Sequence, residues 1–384
     1  MTAEAAPKVV SSSAAVIGAL AFMLMGGVQA LYGPSLTGFS QYFGVPISTA
    51  GLVISLHSLG ALIGVLSTLP LSGHHLVRYR TGGAVGLLAA GALTLGLTTV
   101  WPVALLGTLI IGVGYGILTV GLNSLFAVGF GKRGPAMVNL LNAVFGIGAI
   151  LGPLLVGKAS GDVRWPFLLL ALGTGLLTPF AFFVDDRLPV PRGTQEASTD
   201  QSKGLLVGFL LLLALVVGLE ASSSGWNATY LVALGYTPAT AASFASLFYL
   251  VFTVSRLVAV PLSLRLSPFT LVAASLGLAT VFLLVAQVSA LAPYMLAMLG
   301  GSVALLFPNT FTWLTQTLPA ARSGTALMIA GALLGGTLLP ALIGQAVAAF
   351  GERVLPNAML ALAVLALALA VQLRTKWRAL KVHG

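Results

Sequence analysis

The chain has 384 residues, of which 58% are hydrophobic and 7% are charged, and its formal net charge is +10. Soluble domains carry about 25% charged residues, so this composition excludes a soluble domain, and it also excludes a disordered chain. The apolar runs continue for about twenty residues, the length of a membrane-crossing helix, and do not alternate as in an outer-membrane barrel. The sequence therefore predicts an all-α membrane protein. It has no cysteine, which excludes disulfides, thiol catalysis and thiolate metal sites.

Twelve membrane spans are predicted along the chain. In order they cover residues 12–36, 48–72, 82–100, 102–130, 136–158, 164–184, 204–232, 239–263, 268–288, 290–316, 322–348 and 354–374. The polar stretch 185–203 separates the first six spans from the last six and contains two prolines and charges of both signs. We interpret it as a linker between an amino-terminal bundle (1–184) and a carboxy-terminal bundle (204–384).

The two predicted bundles are related in sequence. A shift of 191 residues places Gly27 on Gly218 and Ser55 on Ser246, and a shift of 189 places Gly146 on Gly335. Internal repeats of this kind build transporters in which two bundles meet at a cavity near the bilayer midplane. The predicted fold class is therefore two pseudo-symmetric bundles of six transmembrane helices each.

The basic residues indicate orientation. Fifteen of the 18 lysines and arginines, Arg256 and Arg265 among them, are assigned to the termini and to the loops on one side. The opposite side carries Lys158, Arg164 and Arg353. The positive-inside rule places the first set and both termini in the cytoplasm, with the spans in the cell membrane. We interpret these charges as signals of topology and contacts of the lipid bilayer, not of nucleic acid.

Glu220 is the one acidic residue that falls within a predicted span, since the other seven of the 8 lie in loops or at the amino terminus. An ionised group at the bilayer centre costs roughly 2.5–3.5 kcal/mol. We predict that Glu220 carries a proton, accepts a substrate hydroxyl, or does both; the alternative is a neutral acid bonded to a neighbouring helix. Ser223, Ser224 and Asn227 share its helix face, and the Ser-Ser-Ser-Gly run predicts a local break in that helix.

Further polar and aromatic side chains in the spans are candidates for a solute-binding site. They are Gln29, Tyr32, Thr119, Asn123, Asn139, Asn142, Ser224, Asn227, Tyr249, Asn309 and Trp313. Amide groups offer both donors and an acceptor, and with aromatic rings they suit a neutral polyhydroxylated ligand such as a sugar. Membrane-interface anchoring or lipid-facing packing is the alternative for the aromatic residues. His57 is a second candidate proton site or a hydrogen-bonded packing residue.

Enzymatic chemistry has no support in the sequence. The glycines at 112, 114 and 116 lie inside a hydrophobic helix with no strand before it, so they are a packing feature and not a nucleotide-binding fingerprint. Neither an HExxH motif nor a Ser/His/Asp arrangement suggests hydrolysis. We predict no enzyme activity, no cofactor and no metal site.

The chain resembles the major facilitator superfamily over essentially its whole length. The segment Gly73–Arg80 is similar to the superfamily's signature loop, with a glycine and basic residues but without the usual aspartate. Four stretches are similar to the fucose/glucose permease branch: 114–123, 139–153 (NLLNAVFGIGAILGP), Gly218-Leu219-Glu220 with Trp226, and Phe307-Pro308. The resemblance implies hexose uptake coupled to protons, with Glu220 placed like the branch's helix-seven glutamate. The chain departs from the branch at Thr119, where members commonly carry an acid.

Two transport functions stay open at this point. The leading hypothesis is a monomeric transporter whose partners are a sugar-like solute and protons. The second is a proton-coupled exporter of drugs or other amphiphilic compounds, because the same acid in an apolar cavity would serve it. Sodium in place of the proton also stays open, since it binds carboxylate and amide oxygens. A non-transporting receptor or scaffold is disfavoured by the short loops.

Overall fold

The computed structural model describes residues 10–68, 77–159, 162–184, 200–318 and 325–383. Within these ranges the chain forms α-helices, short 3-10 turns and no strand. The helices are α1 (Ser12–Phe43), α2 (Ile47–Ala50), α3 (Leu52–Ser67), α4 (Val77–Leu97), α5 (Trp101–Gly129), α6 (Gly134–Lys158), α7 (Arg164–Ala181), α8 (Asp200–Ala233), α9 (Pro238–Ser263), α10 (Pro268–Val285), α11 (Ala292–Ala304), α12 (Leu306–Thr317), α13 (Thr325–Phe350) and α14 (Leu355–His383).

These helices confirm a polytopic helical membrane protein. Eleven spans in the described part of the chain are long and apolar enough to cross a bilayer, with α2 and α3 forming one of them and α11 and α12 another. The remaining predicted span, the sixth (164–184), is α7, which has 18 residues, begins at Arg164 and packs against α1 and α4. Lipid offers no hydrogen bonds, so each segment must pair its backbone groups internally, and that requirement selects helices.

Two faces of the helical assembly serve as references below. The amino-terminal face is where α1 begins, and the opposite face is where α1 ends. The Val10 N–H donates to the Gly129 carbonyl at 3.1 Å, which brings the end of α5 to the amino-terminal face. The Arg164 guanidinium lies 5.5 Å from the centre of the Tyr42 ring, which brings the start of α7 to the opposite face. The charge distribution predicts that the amino-terminal face is cytoplasmic.

Helix contacts in the first half of the chain recur in the second half. Helix α1 packs on α6 as α8 packs on α13, and α3 packs on α5 as α9 packs on α11. The pairs α4–α5 and α4–α7 have counterparts in α10–α11 and α10–α14. Gly27 lies against α6 and Gly218 lies against α13, in agreement with the equivalence predicted from the 191-residue shift. The recurrence is the pseudo-symmetry of two six-helix bundles.

Glycines allow the closest helix approaches inside each bundle. A Cβ at Gly148 of α6 would overlap the Met23 carbonyl of α1, and a Cβ at Gly335 of α13 would overlap the Ala214 carbonyl of α8. Without a hydrophobic driving force between helices in lipid, such backbone-to-backbone packing supplies much of the attraction. These glycines therefore serve assembly of the bundles.

The two halves meet along α1–α8, α3–α13 and α6–α9. A Cβ at Gly33 of α1 would overlap the Ser224 carbonyl of α8, and one at Gly51 would overlap the Trp226 ring. The Ser246 hydroxyl of α9 donates to the Ile150 carbonyl of α6 at 2.7 Å. The Gly33, Gly51 and Ser246 contacts lie in the part of the helices nearer the opposite face, so the halves are closed against each other there.

Helix α8 corrects one expectation. The predicted break at the Ser-Ser-Ser-Gly run is wrong, because α8 is continuous from Asp200 to Ala233. The small residues at this point admit α1 at Gly33 and the Ile54 side chain beside Gly225. Packing from two neighbouring helices outweighs the weak helix propensity of serine and glycine, which amounts to about 1 kcal/mol for glycine.

The tenth predicted span, 290–316, is confirmed as a span over Ala292–Thr317. The helix within it is interrupted, since α11 ends at Ala304 and α12 begins at Leu306. Proline lacks an N–H group and its ring clashes with the carbonyl of the residue four positions earlier. Pro308 therefore removes the helical partner of the Ala304 carbonyl, and the chain breaks at Leu305. The Asn309 N–H still pairs with the Leu305 carbonyl, at 3.3 Å.

Two predicted segments lie largely outside the described residues. The signature-like loop is described from position 77 onward, so its glycine and histidines are outside. The linker prediction 185–203 falls outside the described residues except for its last four positions, which already belong to α8. The bundle boundaries at 184 and 204 stay predictions.

Candidate functional site

The site is positioned by the contact between α1 and α8. Both helices run from the amino-terminal face to the opposite face, and they touch where Gly33 meets Ser224. Gln29 and Glu220 each precede that contact by four residues, which is one helical turn. The two side chains therefore lie at the same depth, one on each half of the protein.

The first half contributes a connected polar group around Tyr115. The Tyr115 hydroxyl of α5 donates to the Gln29 carbonyl oxygen Oε1 of α1. The His57 ring of α3 lies 4.9 Å from the Tyr115 ring, and its Nδ1 is 3.3 Å from the Tyr32 hydroxyl. His57 is buried, and its Nε2 has no hydrogen-bond partner among the described residues. Four side chains from three helices thus form one polar network.

The second half faces this network with Glu220. Its carboxyl group interacts electrostatically with Tyr115 across the boundary between the halves, and with Tyr249 and Arg256 of α9. Tyr249 also lies beside Ser224. We call Gln29, Tyr115, Glu220, Tyr249 and Arg256 the central cluster. It combines an acid, an amide, two phenols and a guanidinium from both halves of the protein.

Asn227 lies two turns beyond Glu220, toward the opposite face. It is buried, and neither Oδ1 nor Nδ2 has a hydrogen-bond partner among the described residues. Ser223 turns away from the cluster, since its hydroxyl lies 3.6 Å from the Met359 sulfur of α14. The predicted polar face of α8 is therefore shared between the central cluster and the interior of the second bundle.

The remaining predicted amides lie nearer the amino-terminal face. We call Asn123, Asn139, Asn142 and Asn309 the amide layer. Asn123, Asn142 and Asn309 each donate their Nδ2 to the backbone carbonyl four residues earlier, at 2.8, 2.9 and 2.7 Å. Thr119 and Asn123 follow Tyr115 by one and two turns, so they are about 6 and 12 Å further along α5. These hydrogen bonds use the amide nitrogens, so the amide oxygens of Asn123, Asn142 and Asn309 stay free to accept from a solute.

Trp313 does not join the central cluster. Its ring lies 4.8 Å from Phe209 of α8 and 5.1 Å from Phe269 of α10, inside the second bundle. Phe209 precedes Glu220 by three turns, about 16 Å along the helix. Trp313, a predicted solute-binding residue, therefore lies away from Glu220, and Tyr115 and Tyr249 are the aromatic residues that interact electrostatically with Glu220.

Sequence reasoning missed Arg256 and Tyr115. Arg256 was counted with the basic loop residues, but the structure places it inside α9, half-buried, two turns before the helix ends at Ser263. The available signal was its position within the predicted span 239–263. Tyr115 was quoted only as part of a sequence motif, although it lies one turn before the Thr119 candidate.

A cavity of about 470 Å³ opens at the opposite face, and we call it the vestibule. Both halves line it, the first through Thr37, Ser40 and Gln41 of α1 and the second through Thr229 of α8 and the 3-10 turn 352–354. The Gly33–Ser224 and Gly51–Trp226 contacts lie between this vestibule and Glu220. Among the described residues, His, Asp and Glu side chains form no cluster that could hold a metal ion.

Comparison with known proteins identifies the architecture. The model of the Major Facilitator Superfamily matches residues 18–333. A sodium-dependent glucose transporter 1A from Mus musculus is 22% identical over 370 residues, which is 84% of this chain and 87% of that protein. The efflux pump patC from Aspergillus clavatus is 25% identical over 201 residues, 48% of this chain and 35% of the pump.

Solved transporter structures share the fold. A mutant of the nucleoside transporter NupG superimposes with a TM-score of 0.76 at 15% identity, covering 95% of this chain and 100% of that one. FucP in the outward conformation gives 0.62 at 18% identity, covering 94% and 98%. The xylose transporter XylE from E. coli gives 0.73 at 13% identity, covering 93% and 97%.

Proposed function

The chain belongs to the Major Facilitator Superfamily of transporters, and we propose that it moves a small polar solute, a hexose-type sugar, by proton-coupled alternating access. Glu220 is the main proton site in this proposal. The observation that carries it is the position of Glu220: a carboxyl group in a membrane helix, at the boundary between the halves and in electrostatic contact with Tyr115 of the other half. The surroundings of a carboxyl group at this position change when the two halves move together or apart.

The amide layer and the central cluster support a neutral, hydroxyl-rich solute. Gln29, Asn123, Asn142 and Asn309 come from four helices of both halves, and each combines donors with an acceptor. The rings of Tyr115 and Tyr249 provide apolar surfaces at the same depth as Glu220. The named relatives include a sodium-dependent glucose transporter and the structures include a xylose transporter, which is in keeping with a sugar.

Proton coupling follows from the cost of moving charge through lipid. When the proton and the solute are both bound, Glu220 is neutral and the halves can rearrange without carrying a bare carboxylate across the apolar midplane. A membrane potential of 100 mV supplies about 2.3 kcal/mol for each charge moved. The proton drives transport only by binding one facing state more tightly than the other. In the described state the Gly33–Ser224 and Gly51–Trp226 contacts separate Glu220 from the vestibule.

The direct test is hexose uptake by purified protein in liposomes, with and without an inward proton gradient. We expect accumulation above the equilibrium level with the gradient and only equilibration without it. A sodium gradient in a separate arm tests the other ion. Accumulation driven by sodium alone would contradict the proton as coupling ion, and failure of all hexoses to enter would contradict the sugar assignment.

A second candidate function is export of amphiphilic compounds. Its support is the efflux-pump relative and the aromatic surface that Phe248, Tyr249 and Phe252 form next to Glu220, with ring centres 5.2 to 6.3 Å apart. Lipophilic cations are then the first ligands to try in the same liposomes.

Replacing Asn142 by alanine distinguishes the two functions. A sugar site depends on paired polar groups, and leaving a buried partner unpaired costs about 1–3 kcal/mol. We therefore expect the hexose KM of Asn142→Ala to rise about tenfold or more, with Asn357→Ala, an exposed residue of α14, as the control. An exporter that binds mainly through apolar contacts would lose less than about threefold in affinity for its ligand.

A further inference from the structure

The polar network of the first half begins and ends on α1. The Tyr32 hydroxyl of α1 lies 3.3 Å from the His57 Nδ1 of α3, and the His57 ring meets the Tyr115 ring of α5 edge-on, with ring centres 4.9 Å apart. The Tyr115 hydroxyl then donates to Gln29 Oε1, back on α1 and about one turn before Tyr32. Because all four side chains belong to the first half, these contacts need not change when the two halves move.

The glycines around Tyr115 fix the position of its ring. Gly112 and Gly116 lie directly against the backbone of α3, and Gly114 lies against the backbone of α4. Successive residues of a helix point about 100° apart, so the Tyr115 side chain leaves α5 between these two sides, in the direction of α1. Close-packed backbone contacts cannot yield without moving a whole helix. The packing of the first bundle therefore sets where the Tyr115 hydroxyl lies.

The Gln29 amide has two different ends, and Tyr115 occupies one of them. The oxygen Oε1 accepts from the Tyr115 hydroxyl, which leaves the two N–H donors of Nε2. Gln29 is only partly buried, and no residue in the described part of the chain accepts a hydrogen bond from its Nε2. An amide that turns freely could offer either end to a solute, whereas this amide offers its donors.

The Gln29 donors lie at the depth of Glu220, since both residues precede the Gly33–Ser224 contact by one turn. At this depth the first half offers N–H donors and the second half offers a carboxyl group. Asn142, nearer the amino-terminal face, is the reverse case, because its Nδ2 donates to its own helix and its oxygen stays free. The site therefore presents a defined order of donors and acceptors along its depth.

We propose that Tyr115 is a positioning residue that sets solute specificity: it holds the Gln29 amide so that the solute has to present a hydrogen-bond acceptor to the first half. The proposal deepens the proposed function and rests on it, because it needs a hydroxyl-rich solute bound at this depth. A hydroxyl group or a ring oxygen accepts from Gln29, whereas an ammonium group has donors only. The substrate class is therefore neutral sugars and polyols, and it excludes their amino derivatives at the position that faces Gln29.

The test measures binding of hexoses in which one hydroxyl group is replaced by fluorine, an acceptor only, or by an amino group, a donor only at neutral pH. The position that faces Gln29 is the one whose amino-to-fluoro ratio of Kd changes in Gln29→Ala. At this position we expect the wild type to bind the fluoro analogue about tenfold or more tighter than the amino analogue. In Tyr115→Phe the amide can turn its oxygen to the ammonium group, so the ratio should fall about fivefold. Tyr294→Phe, at an exposed tyrosine of α11, is the matched control and should keep the wild-type ratio.

A double variant separates positioning from direct contact with the solute. If Tyr115 acts only through the amide, Gln29→Ala/Tyr115→Phe should have the same ratio and the same hexose Kd as Gln29→Ala alone. A further loss of hexose affinity in the double variant would show that the Tyr115 hydroxyl itself binds the solute. That result would overturn the proposal, and so would a ratio that is unchanged in Tyr115→Phe or a set of analogues in which no position responds to Gln29→Ala.

A measurement without solute keeps the amide orientation separate from the sugar assignment. In substrate-free protein in lipid nanodiscs, the Raman difference spectrum between the wild type and Tyr115→Phe isolates the tyrosine doublet of Tyr115, whose intensity ratio distinguishes a phenol that donates from one that accepts. We expect a donor. A phenol that accepts would mean that the amide faces the other way, and it would overturn the proposal even if hexoses are transported. A donating phenol in a protein that binds no hexose would support the fixed amide and contradict the sugar assignment alone.

Discussion

Replacing Glu220 by glutamine is expected to abolish gradient-driven accumulation of solute while leaving a reduced rate of exchange. An amide has nearly the shape of the carboxyl group and still offers an acceptor oxygen, so binding of a hydroxyl group can continue. It cannot take up and release a proton, so the energy of the gradient, about 1.4 kcal/mol for each tenfold difference in concentration, no longer reaches the solute. The measurement is steady-state accumulation and counterflow in the same liposomes.

The matched control for this variant is Asp162→Asn. Asp162 lies in the turn before α7 at the opposite face, where it accepts the Arg164 N–H at 2.9 Å. That hydrogen bond is the main cause that lowers the pKa of the Asp162 carboxyl, so the residue stays ionised at neutral pH and has no proton to exchange. Accumulation should be unchanged in Asp162→Asn. Full accumulation in Glu220→Gln would show that the coupling site lies elsewhere, with His57 as the next residue to replace.

The spans were predictable because lipid imposes a strict requirement on the chain. Every backbone group has to be paired inside the membrane, so a long apolar run can only be a helix, and hydropathy alone locates it. The same rule located Glu220, since a carboxyl group in such a run stands out at once. Helix ends were less predictable: α1 continues to Phe43, beyond the predicted position 36, because polar residues at a membrane face can prolong a helix.

The effect of proline was not predictable from sequence. Pro34, Pro153 and Pro340 lie inside continuous helices, whereas Pro308 accompanies a break. Neighbouring groups decide whether the freed carbonyl is satisfied without interrupting the helix. At Ala304 the neighbour is Arg256, and a contact between residues 48 positions apart cannot be derived from either local sequence.

Arg256 also shows a limit of the positive-inside rule. The rule counts basic residues near span ends, and an arginine two turns inside a span adds to the same count although its role differs. Hydropathy does not separate the two cases, because a long amphipathic side chain can place its charge outside the apolar layer from that depth. The structure separates them, since the Arg256 guanidinium packs over the Phe252 ring and donates a hydrogen bond to the Ala304 carbonyl of α11.

The sequence predicted which polar and aromatic residues are candidates for binding. The structure shows at which depth in the membrane each of them lies. Gln29, Tyr115 and Glu220 meet at one level, the amide layer lies one to two turns away, and Trp313 belongs to the interior of the second bundle. Periodicity tells which residues share a face of one helix. It gives no register between helices, and the register here is set by glycine contacts such as Gly33 on Ser224.

Replacing Gly33 is the second substitution from which a large effect on transport is expected. We expect Gly33→Leu to lower transport more than about tenfold without preventing folding, because the substitution acts between the halves and not within one of them. In the closed arrangement a Cβ at Gly33 would already overlap the Ser224 carbonyl of α8, and a packed backbone contact cannot absorb a leucine. When the halves part at the opposite face, that side chain has room. The variant should therefore populate the arrangement open at the opposite face.

The chain offers a clean reporter for this shift, since it has no cysteine of its own. Thr229 lines the vestibule and is 3% exposed, so Thr229→Cys should react slowly with a membrane-impermeant maleimide in the otherwise unchanged protein. In the Gly33→Leu background we expect the labelling rate to rise about tenfold or more, as the population moves to the open arrangement. Gly175→Leu is the control, because Gly175 is also helical and no atom lies within 4 Å of its added Cβ.

Gly148→Leu completes the comparison. Gly148 packs against Met23 inside the first bundle, a contact that no rearrangement of the halves relieves, so this variant should lower the yield of folded protein in detergent. If Gly33→Leu also fails to fold, the α1–α8 contact is part of a fixed core and the halves do not separate there. If it folds, labels like the wild type and transports normally, the contact is not a gate. Folding together with faster labelling and loss of transport identifies Gly33 and Ser224 as the point where the opposite face closes.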